Sequence, residues 1–267
     1  MRSLKDLLKL ALPESVRQTL RRWGTSLTQA GWQRHCPVCG ARTRTFRVHG
    51  NPPAPDAVCH VCSSKAPHRL AGLFFRQFQS QLFASGQQCV HVAPEPGLSR
   101  QLAQQCQQSR MTYRPGGFGD HYPEYFDITS LSLADQSVRL FYCCHVLNML
   151  VDDRIALREV HRVLASDGVA VIQVPAFSTE PTTIECLGCD DDRMRTFGDP
   201  LMYRCYTDAD YRSRLQDTGF HVESFHADSF PDSNRIRMGL HREVLHVAFR
   251  DPQHPVALAL HKMRAGG

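Results

Sequence analysis

The chain has 267 residues and a formal net charge of +5, and 42% of its residues are hydrophobic. This length accommodates one large domain, or a medium domain with a small one, and the apolar fraction is enough for a sizeable core. There is no run of about 18 apolar residues, which a membrane-spanning helix would need. Lys5, Asp6 and Lys9 interrupt the leucines at the start, so we expect a cytoplasmic protein without a secretory signal.

Positive charge is concentrated in the first third of the chain. Residues 1–83 carry 13 Lys and Arg against 3 Asp and Glu, whereas the remainder carries 18 against 23. This asymmetry predicts either an anionic partner for the first third, RNA being one possibility, or simply a solvated basic face. Residues 2–23, with leucines among Lys and Arg and a break at Pro13, predict a helix that packs on the protein or lies on a membrane surface.

Two Cys-x-x-Cys pairs follow, and 19 residues separate them: Cys36 with Cys39, and Cys59 with Cys62. Without a secretory signal, paired cysteines favour metal binding over disulfides. This spacing is typical of a tetrahedral zinc site, and four thiolates leave no open position, so the pattern predicts a structural zinc ion. A third pair, at residues 186 and 189, predicts a loop with two incidental thiols, with a redox role or a second metal as the alternative.

Residues 66–83 have apolar side chains at helical spacing, and residues 84–86, Ala-Ser-Gly, end that helix. We place a domain boundary there. Residues 1–85 are predicted to form a basic, helical and zinc-ribbon-like module, and residues 86–267 an α/β domain.

Strand-like and helix-like segments alternate from residue 89 onward, which predicts a parallel sheet with helices on both faces. The clearest helix spans residues 152–165, with Asp152 or Asp153 as its N-cap and Gly168 after its end. Further helices are predicted at 98–109 and 208–216. Strands are predicted at 89–92, 111–113, 126–128, 138–144, 169–174, 221–225 and 244–249.

Ligands of parallel α/β sheets bind beyond the carboxyl ends of the strands, so the first strand–helix turn is the place to look. Here that turn lies at residues 91–98, HVAPEPGL, with Gly97 as its one glycine. The G-x-G-x-x-G pattern of dinucleotide sites is therefore absent, which disfavours an oxidoreductase. A bulkier turn is compatible with a cofactor that lacks a pyrophosphate.

The order and spacing of several short segments resemble a known family, the zinc-ribbon-bearing class I methyltransferases of the type-11 kind. The resemblance covers residues 36 to 249 and implies a Rossmann-like, seven-stranded sheet whose last strand is antiparallel, with S-adenosylmethionine as cofactor. The segments are CPVCG at 36–40, residues 62–69, HVAPEPGL at 91–98, residues 127–131, HVL at 145–147, residues 152–164, QVP at 173–175, residues 195–200 and residues 204–211.

The resemblance also implies a cofactor cleft. It places Asp127 and Ile128 against the adenine, where the carboxylate would accept from the exocyclic amine, and Glu95 near the methionine part or the ribose. His145, at the end of the fourth strand, is the best candidate for a catalytic base, the alternative being a histidine hydrogen-bonded inside the fold. The full implied set is Ala93, Pro94, Glu95, Gly97, Asp127, Ile128 and His145.

Several positions depart from the family pattern. Many relatives have Phe-Asp where this chain has Val138 and Arg139, and Glu-His where it has Asn148 and Met149. The loop after the second strand, at residues 113–115, lacks the usual acid. Three hypotheses follow: an S-adenosylmethionine-dependent methyltransferase of unknown acceptor, a non-catalytic adapter that keeps the fold and the zinc module, and an RNA methyltransferase whose basic first third holds phosphates.

Overall fold

The structure is a computed structural model that describes residues 30–50, 53–175 and 178–265. The helix predicted over residues 2–23 lies outside these ranges. Within them, no helix is long and apolar enough to cross a membrane.

The described chain begins with two small antiparallel hairpins and a helix. The hairpins pair β1 with β2 and β3 with β4. The predicted helix at 66–83 is confirmed, although it is divided at Phe78 into α1 and a single turn, α2. The bounds are β1 Ala30–His35, β2 Arg42–Thr43, β3 Arg47–His49, β4 Ala54–Val58, α1 Ala66–Gln77 and α2 Gln79–Leu82.

Strands and helices then alternate to the end of the described chain. The bounds are β5 Gln88–Val92, α3 Pro96–Gln108, β6 Thr112–Gly117, β7 Glu124–Tyr125, β8 Val138–Cys144, α4 Asp153–Val163, β9 Leu164–Gln173, β10 Ile184–Glu185, α5 Asp190–Phe197, β11 Arg204–Cys205, α6 Asp208–Asp217, β12 His221–His226, α7 Asp232–Met238, β13 Val244–Phe249 and α8 Pro255–Ala265.

Seven strands form one sheet in the order β12-β13-β9-β8-β5-β6-β7. β13 runs antiparallel to both of its neighbours, whereas the pairs from β9 to β7 are parallel. This confirms the Rossmann-like, seven-stranded sheet with an antiparallel last strand. The first and fourth strands expected from the sequence, β5 and β8, lie side by side at its centre.

The strand predicted over residues 126–128 is wrong. The strand at this place is β7, which pairs with β6 through only two residues, Glu124 and Tyr125. Phe126 and Ile128 are buried in the core from a turn that follows β7, outside the ladder. Phe126 and Ile128 are apolar because they are buried in the core, not because they belong to a strand. In so short a segment, the spacing of apolar residues does not distinguish a strand from a buried turn.

The helix that the sequence indicated most clearly, α4, has the expected cap and face. The Asp152 carboxylate accepts hydrogen bonds from the backbone of Arg154 at 2.9 Å and of Ile155 at 3.3 Å, as N-cap aspartates do. Its buried side chains are largely apolar and form one face toward the sheet. The helix therefore fixes where the chain leaves β8 and enters β9.

The N-terminal module shares a hydrophobic core with one face of the sheet. On α1, the Phe75 ring packs against Tyr142 of β8 at 5.4 Å between centroids, and Phe74 packs against Phe225 of β12 at 5.7 Å. The fully buried Arg69 donates to the carbonyls of Ser64 and of residue 239, each at 2.8 Å. Helix α1 thus serves as one of the layers that cover the sheet. The domain boundary at residues 84–86 stays a prediction.

Candidate functional site

A cavity of about 1210 Å³ opens at the carboxyl ends of β5 and β8. This is the edge where parallel α/β sheets bind their ligands. Its walls come from the two strand ends, the turn after β7, the loop between β8 and α4, and the segment before β11. The lining residues are Val92, Ala93, Phe118, Tyr122, Phe126, Asp127, Ile128, Thr129, Cys144, His145, Val146, Met149, Leu150, Val151, Asp152, Ile155, Leu201 and Tyr203.

The structure brings four of the seven expected cofactor residues to this cavity: Ala93, Asp127, Ile128 and His145. The other three, Pro94, Glu95 and Gly97, lie in the same turn as Ala93 but do not line the cavity. Within this turn, Ala93 therefore faces the cavity, whereas Pro94, Glu95 and Gly97 do not.

The residues that directly follow β5 and β8 share an unusual backbone conformation. Ala93 has φ 52° and His145 has φ 59°, in the left-handed region that side chains other than glycine seldom adopt. The Ala93 amide donates to the Gly116 carbonyl and the His145 amide to the Gln173 carbonyl, each at 2.8 Å. Conformations of this kind cost about 1–3 kcal/mol and cluster at functional sites. Both strand ends are thus bent sharply where they border the cavity.

Asp127 has one carboxylate oxygen in use and one available. Its Oδ1 accepts from the backbone amide of Thr129 at 2.8 Å and from the Thr129 hydroxyl at 2.6 Å, which closes a local turn. Its Oδ2 has no hydrogen-bond partner within the described chain. Since the residue lines the cavity, that oxygen can accept a hydrogen bond from a ligand.

Glu95 is held by two histidines. Its Oε2 lies 3.0 Å from His91 Nε2 and its Oε1 lies 3.4 Å from His68 Nε2. On the far sides of these rings, the Lys65 amide donates to His68 Nδ1 at 3.3 Å, and the Tyr113 hydroxyl lies 2.8 Å from His91 Nδ1. Burial raises the pKa of Glu95, but the hydrogen bond from His91 and the nearby His68 outweigh it, and the pKa falls below its usual range. The Glu95 carboxylate thus holds the turn in place, and each of its two oxygens already has a histidine partner.

The same cluster has the spacing of a metal site, but its hydrogen bonds oppose metal binding. Ligand atoms of His68, Glu95 and Cys144 lie within 4.8 Å of one another. However, His68 Nδ1 accepts the Lys65 amide, so in the neutral ring the proton is on Nε2, the nitrogen that faces Glu95. A protonated nitrogen has no lone pair for a metal. The cluster is a satisfied hydrogen-bond network.

His145 lines the cavity with an unpaired ring nitrogen. Its Nε2 is buried and has no hydrogen-bond partner in the part of the chain that the structure describes. Burial lowers the pKa of His145 to about 4, with smaller contributions from the charges of His68 and Lys65. The ring is therefore neutral at neutral pH and can accept a proton or a hydrogen bond.

The four cysteines of the two pairs converge. The Cys36 and Cys62 sulfurs are 3.6 Å apart, those of Cys39 and Cys59 are 3.8 Å apart, and all four lie within 4.8 Å of one another. A tetrahedral zinc ion with bonds of about 2.3 Å requires sulfurs about 3.8 Å apart, so the donor set fits the ion. Ser64 Oγ lies 3.2 Å from both Cys36 and Cys62, an outer partner of the kind that orients metal ligands.

Gly97 contacts this cysteine cluster. A Cβ atom at position 97 would lie 2.9 Å from the Cys62 carbonyl oxygen and 3.1 Å from its sulfur, which no side chain tolerates without movement. The glycine is therefore required by the cysteine cluster, although the resemblance assigned it to the cofactor. Through Gly97, the turn after β5 rests directly on a cysteine of the second pair.

The residues that sequence reasoning missed are mostly the apolar ones on the far side of the cavity. Met149, Val151 and Ile155 come from the loop between β8 and α4 and from the start of α4, and Leu201 and Tyr203 come from the segment before β11. One signal was present, since Met149 is a position where the chain departs from the family pattern. The others become neighbours only through the fold.

The third cysteine pair shows no arrangement of metal ligands. Cys189 is exposed, and its sulfur donates to Asp192 Oδ2 at 3.1 Å at the start of α5. Cys186 is half-buried, and neither residue belongs to a group of clustered metal-ligating atoms in residues 30–50, 53–175 and 178–265. Cys189 is the N-cap residue of α5, and the role of the pair stays a prediction.

Comparisons with known proteins point in one direction. Residues 71–172 match a family model described as a methyltransferase domain, of the type-11 kind. Among curated proteins, none matches the chain in sequence.

Solved structures with a similar arrangement are distant. A chain of the complex between the Haloferax volcanii Trm112 methyltransferase activator and a candidate methyltransferase is 16% identical, with 68% of this chain and 93% of that one covered and a TM-score of 0.45. The citrinin polyketide synthase CMeT domain is 13% identical, with 70% and 54% covered and a TM-score of 0.49. A Haemonchus contortus phosphoethanolamine N-methyltransferase, in complex with phosphomonomethylethanolamine and S-adenosylhomocysteine, is 11% identical, with 66% and 52% covered and a TM-score of 0.43. Likenesses at this level carry no information about substrates.

Proposed function

We propose that this chain, which contains a class I methyltransferase domain, binds S-adenosylmethionine in the cavity at the ends of β5 and β8 and transfers its methyl group to an acceptor in the same cavity. The observation that carries the proposal is the coincidence of that cavity with Asp127, whose Oδ2 is available, and with His145, whose ring nitrogen is unpaired. Both side chains border the two strand ends where this sheet binds ligands.

The donor binds through a small set of residues. Asp127 Oδ2 would accept a hydrogen bond from the adenine amine, and Ile128 and Ala93 would line the space that the cofactor occupies. Glu95 acts as a positioning residue, because its two oxygens already bind His91 and His68. The donor supplies an activated methyl group, so the protein has mainly to align two reactants and exclude water.

For an acceptor that must lose a proton, we propose His145 as the base. His145 lines the cavity with a neutral ring, and its unpaired Nε2, which is buried in this structure, could take the proton if the ring turns toward the acceptor. A positioned base contributes about 10²–10⁴-fold to a rate. The other members of the cluster cannot take this role as readily, since their polar atoms are engaged with one another.

The four cysteines are proposed to hold one structural zinc ion. Their sulfur separations fit tetrahedral coordination. With four thiolates the metal has no open position, and its contribution is to fix the two hairpins and the start of α1 against the sheet.

An RNA acceptor has little support in this cavity. Neither lysine nor arginine is among the described residues that line it, so none of these side chains could pair with a phosphate as a fixed cation. The positive charge of the first third of the chain remains compatible with an anionic partner that binds outside the cavity. We therefore propose RNA only as a partner of the basic first third and not as the methyl acceptor.

Calorimetric titration of the zinc-loaded full chain with S-adenosylmethionine and S-adenosylhomocysteine tests the proposal. We expect micromolar binding of both to the wild type. Asp127→Ala should weaken it about tenfold or more, because one charge-assisted hydrogen bond is worth about 1.5–3 kcal/mol. Asp191→Ala, at an exposed acid of α5 that does not line the cavity, serves as the control and should bind as the wild type does.

The opposite result is equally clear. If a folded, zinc-loaded protein binds neither compound up to millimolar concentration, the proposal fails. The non-catalytic adapter, with the methyltransferase fold kept as a scaffold, is then the better account.

A further inference from the structure

The composition of the cavity wall points to the kind of acceptor. Resting on the proposed function, we infer that the methyl acceptor is a predominantly apolar molecule without a negative charge, and that it binds on the side of the cavity formed by Met149, Val151, Ile155 and Leu201. Three independent properties of the wall support this assignment: its volume, its charge and the exposure of its apolar side chains.

The volume is greater than one ligand requires. Pockets for a single drug-sized ligand measure about 300–1,000 Å³, whereas this cavity measures about 1210 Å³. The expected cofactor residues, Ala93, Asp127 and Ile128, lie at the β5 end and in the turn after β7. The space bordered by the loop after β8 and by Leu201 is therefore available to a second molecule.

The charge of the wall opposes an anionic acceptor. Among the described residues that line the cavity, two are acidic, Asp127 and Asp152, and none is lysine or arginine. Asp152 accepts the N-cap hydrogen bonds of α4 through Oδ1 alone, and Asp127 is assigned to the adenine. An anionic acceptor would therefore lose its hydration without gaining a cation from this wall.

The exposed apolar side chains lie where an acceptor would cover them. Phe118, Val151 and Leu201 line the cavity, yet 71%, 63% and 61% of their surfaces are exposed to solvent. Single exposed apolar residues are ordinary on a protein surface, but several exposed apolar side chains that line one cavity favour a binding site. Burying these side chains under an apolar acceptor would provide the main binding free energy.

A matched pair of fluorescent probes tests the inference. N-phenyl-1-naphthylamine and 8-anilino-1-naphthalenesulfonate share one ring skeleton, and only the second carries a negative charge. Each is titrated into the full chain saturated with S-adenosylhomocysteine. We expect the uncharged probe to bind at least about tenfold more tightly, since an unpaired sulfonate in this cavity costs more than about 1.4 kcal/mol.

Two lysine variants locate the site. Leu201→Lys adds a cation to the cavity mouth and should reduce the preference for the uncharged probe about tenfold or more. Leu187→Lys is the control, because Leu187 is exposed to a similar extent, 63% against 61% for Leu201, but does not line the cavity. Both positions are exposed, so neither change disturbs the core.

Each remaining outcome contradicts the inference. Tighter or equal binding of the sulfonate by the wild type overturns it, as do equal effects of the two lysine variants or no binding of the uncharged probe. Failure of the proposed function is distinguishable, because it appears beforehand as a lack of S-adenosylhomocysteine binding in the calorimeter.

Discussion

Burial keeps the His145 ring neutral and leaves one of its nitrogens without a hydrogen-bond partner among the described residues. The residue lies at the end of β8 with a left-handed backbone, and its ring nitrogen faces no partner in the described chain. A histidine of this kind stays neutral well below its usual pKa of about 6.5. The ring therefore stays unprotonated, and able to act as a base, down to acidic pH.

This leads to a prediction for His145. The acid limb of the methyl-transfer rate should lie near pH 4, not near 6.5, and His145→Gln should lower the rate about 10²-fold or more without changing cofactor affinity. His49→Gln, at an exposed histidine of β3, should have no effect. The measurement is the rate of S-adenosylhomocysteine formation against pH, and a limb near 6.5 or an active His145→Gln variant contradicts the role.

The same pKa has a consequence for stability, which serves as an internal check. The folded pKa of His145 lies below the unfolded one, so the unfolded chain binds more protons between about pH 6.5 and 4. The free energy of unfolding should therefore decrease as the pH falls through that window. In His145→Gln this part of the decrease should disappear, whereas the part due to His254, whose pKa burial also lowers to about 4, should remain.

At the level of single residues, the sequence identified several positions but not their environments. The turn at residues 91–98 shows a histidine and a glutamate four residues apart, which is enough to suspect a contact. It does not show that His68, from the start of another helix, completes the cluster on the opposite side of Glu95. Nor could the sequence show that one oxygen of Asp127 is already bound to Thr129.

Among the elements, the turn after β5 and the cysteine cluster depend on each other. Gly97 stands at the start of α3 with a Cys62 atom on the side where a Cβ would project. Adding a methyl group there forces either the helix or the cysteine to move. The cysteine pairs therefore influence the turn that borders the cavity.

Gly97→Ala tests this dependence. Overpacking of a well-packed contact costs about 1–3 kcal/mol, and we expect this loss in urea denaturation together with faster release of zinc to a chelator. The wild type should contain one zinc ion per chain. Arg100→Ala, at an exposed position of the same helix, should match the wild type in both measurements. An unchanged zinc release in Gly97→Ala would show that the contact is not under strain.

Long periodic elements could be predicted, whereas short ones could not. Helix α4 and strands β5 and β8 have strong apolar patterns and were located to within a few residues. β7, β10 and β11 are two residues long, and their backbone pairing is decided by distant partners that no local pattern reports. The helices at 190–197 and 232–238 have few buried residues and therefore weak amphipathic signals.

At the scale of the whole molecule, helix α1 and the sheet share one hydrophobic core. Leu70, Phe74 and Phe75 of α1 are fully buried in the core that also contains sheet residues. The domain boundary at residues 84–86 stays a prediction, and this shared core raises the question of whether residues 86–267 fold without α1. Amino-acid composition shows where the chain changes from a basic, cysteine-rich segment to alternating strands and helices. It does not show which apolar surfaces are buried against each other.

Truncation tests this view. A fragment of residues 86–267 should expose the apolar surface that α1 covers, and we expect weak near-ultraviolet circular dichroism and loss of S-adenosylhomocysteine binding. The control is residues 30–267, which retains every described element and should keep both properties. A folded, cofactor-binding fragment 86–267 would show instead that the two parts are independent domains.

The apolar wall of the cavity also bears on turnover. Each transfer converts the acceptor into a product with one more methyl group, and an added buried carbon strengthens apolar binding by about 0.8 kcal/mol. The product should then leave about fourfold more slowly than an unreacted acceptor dissociates. An apolar cavity that suits its acceptor would thus hold the methylated product longer than the acceptor itself.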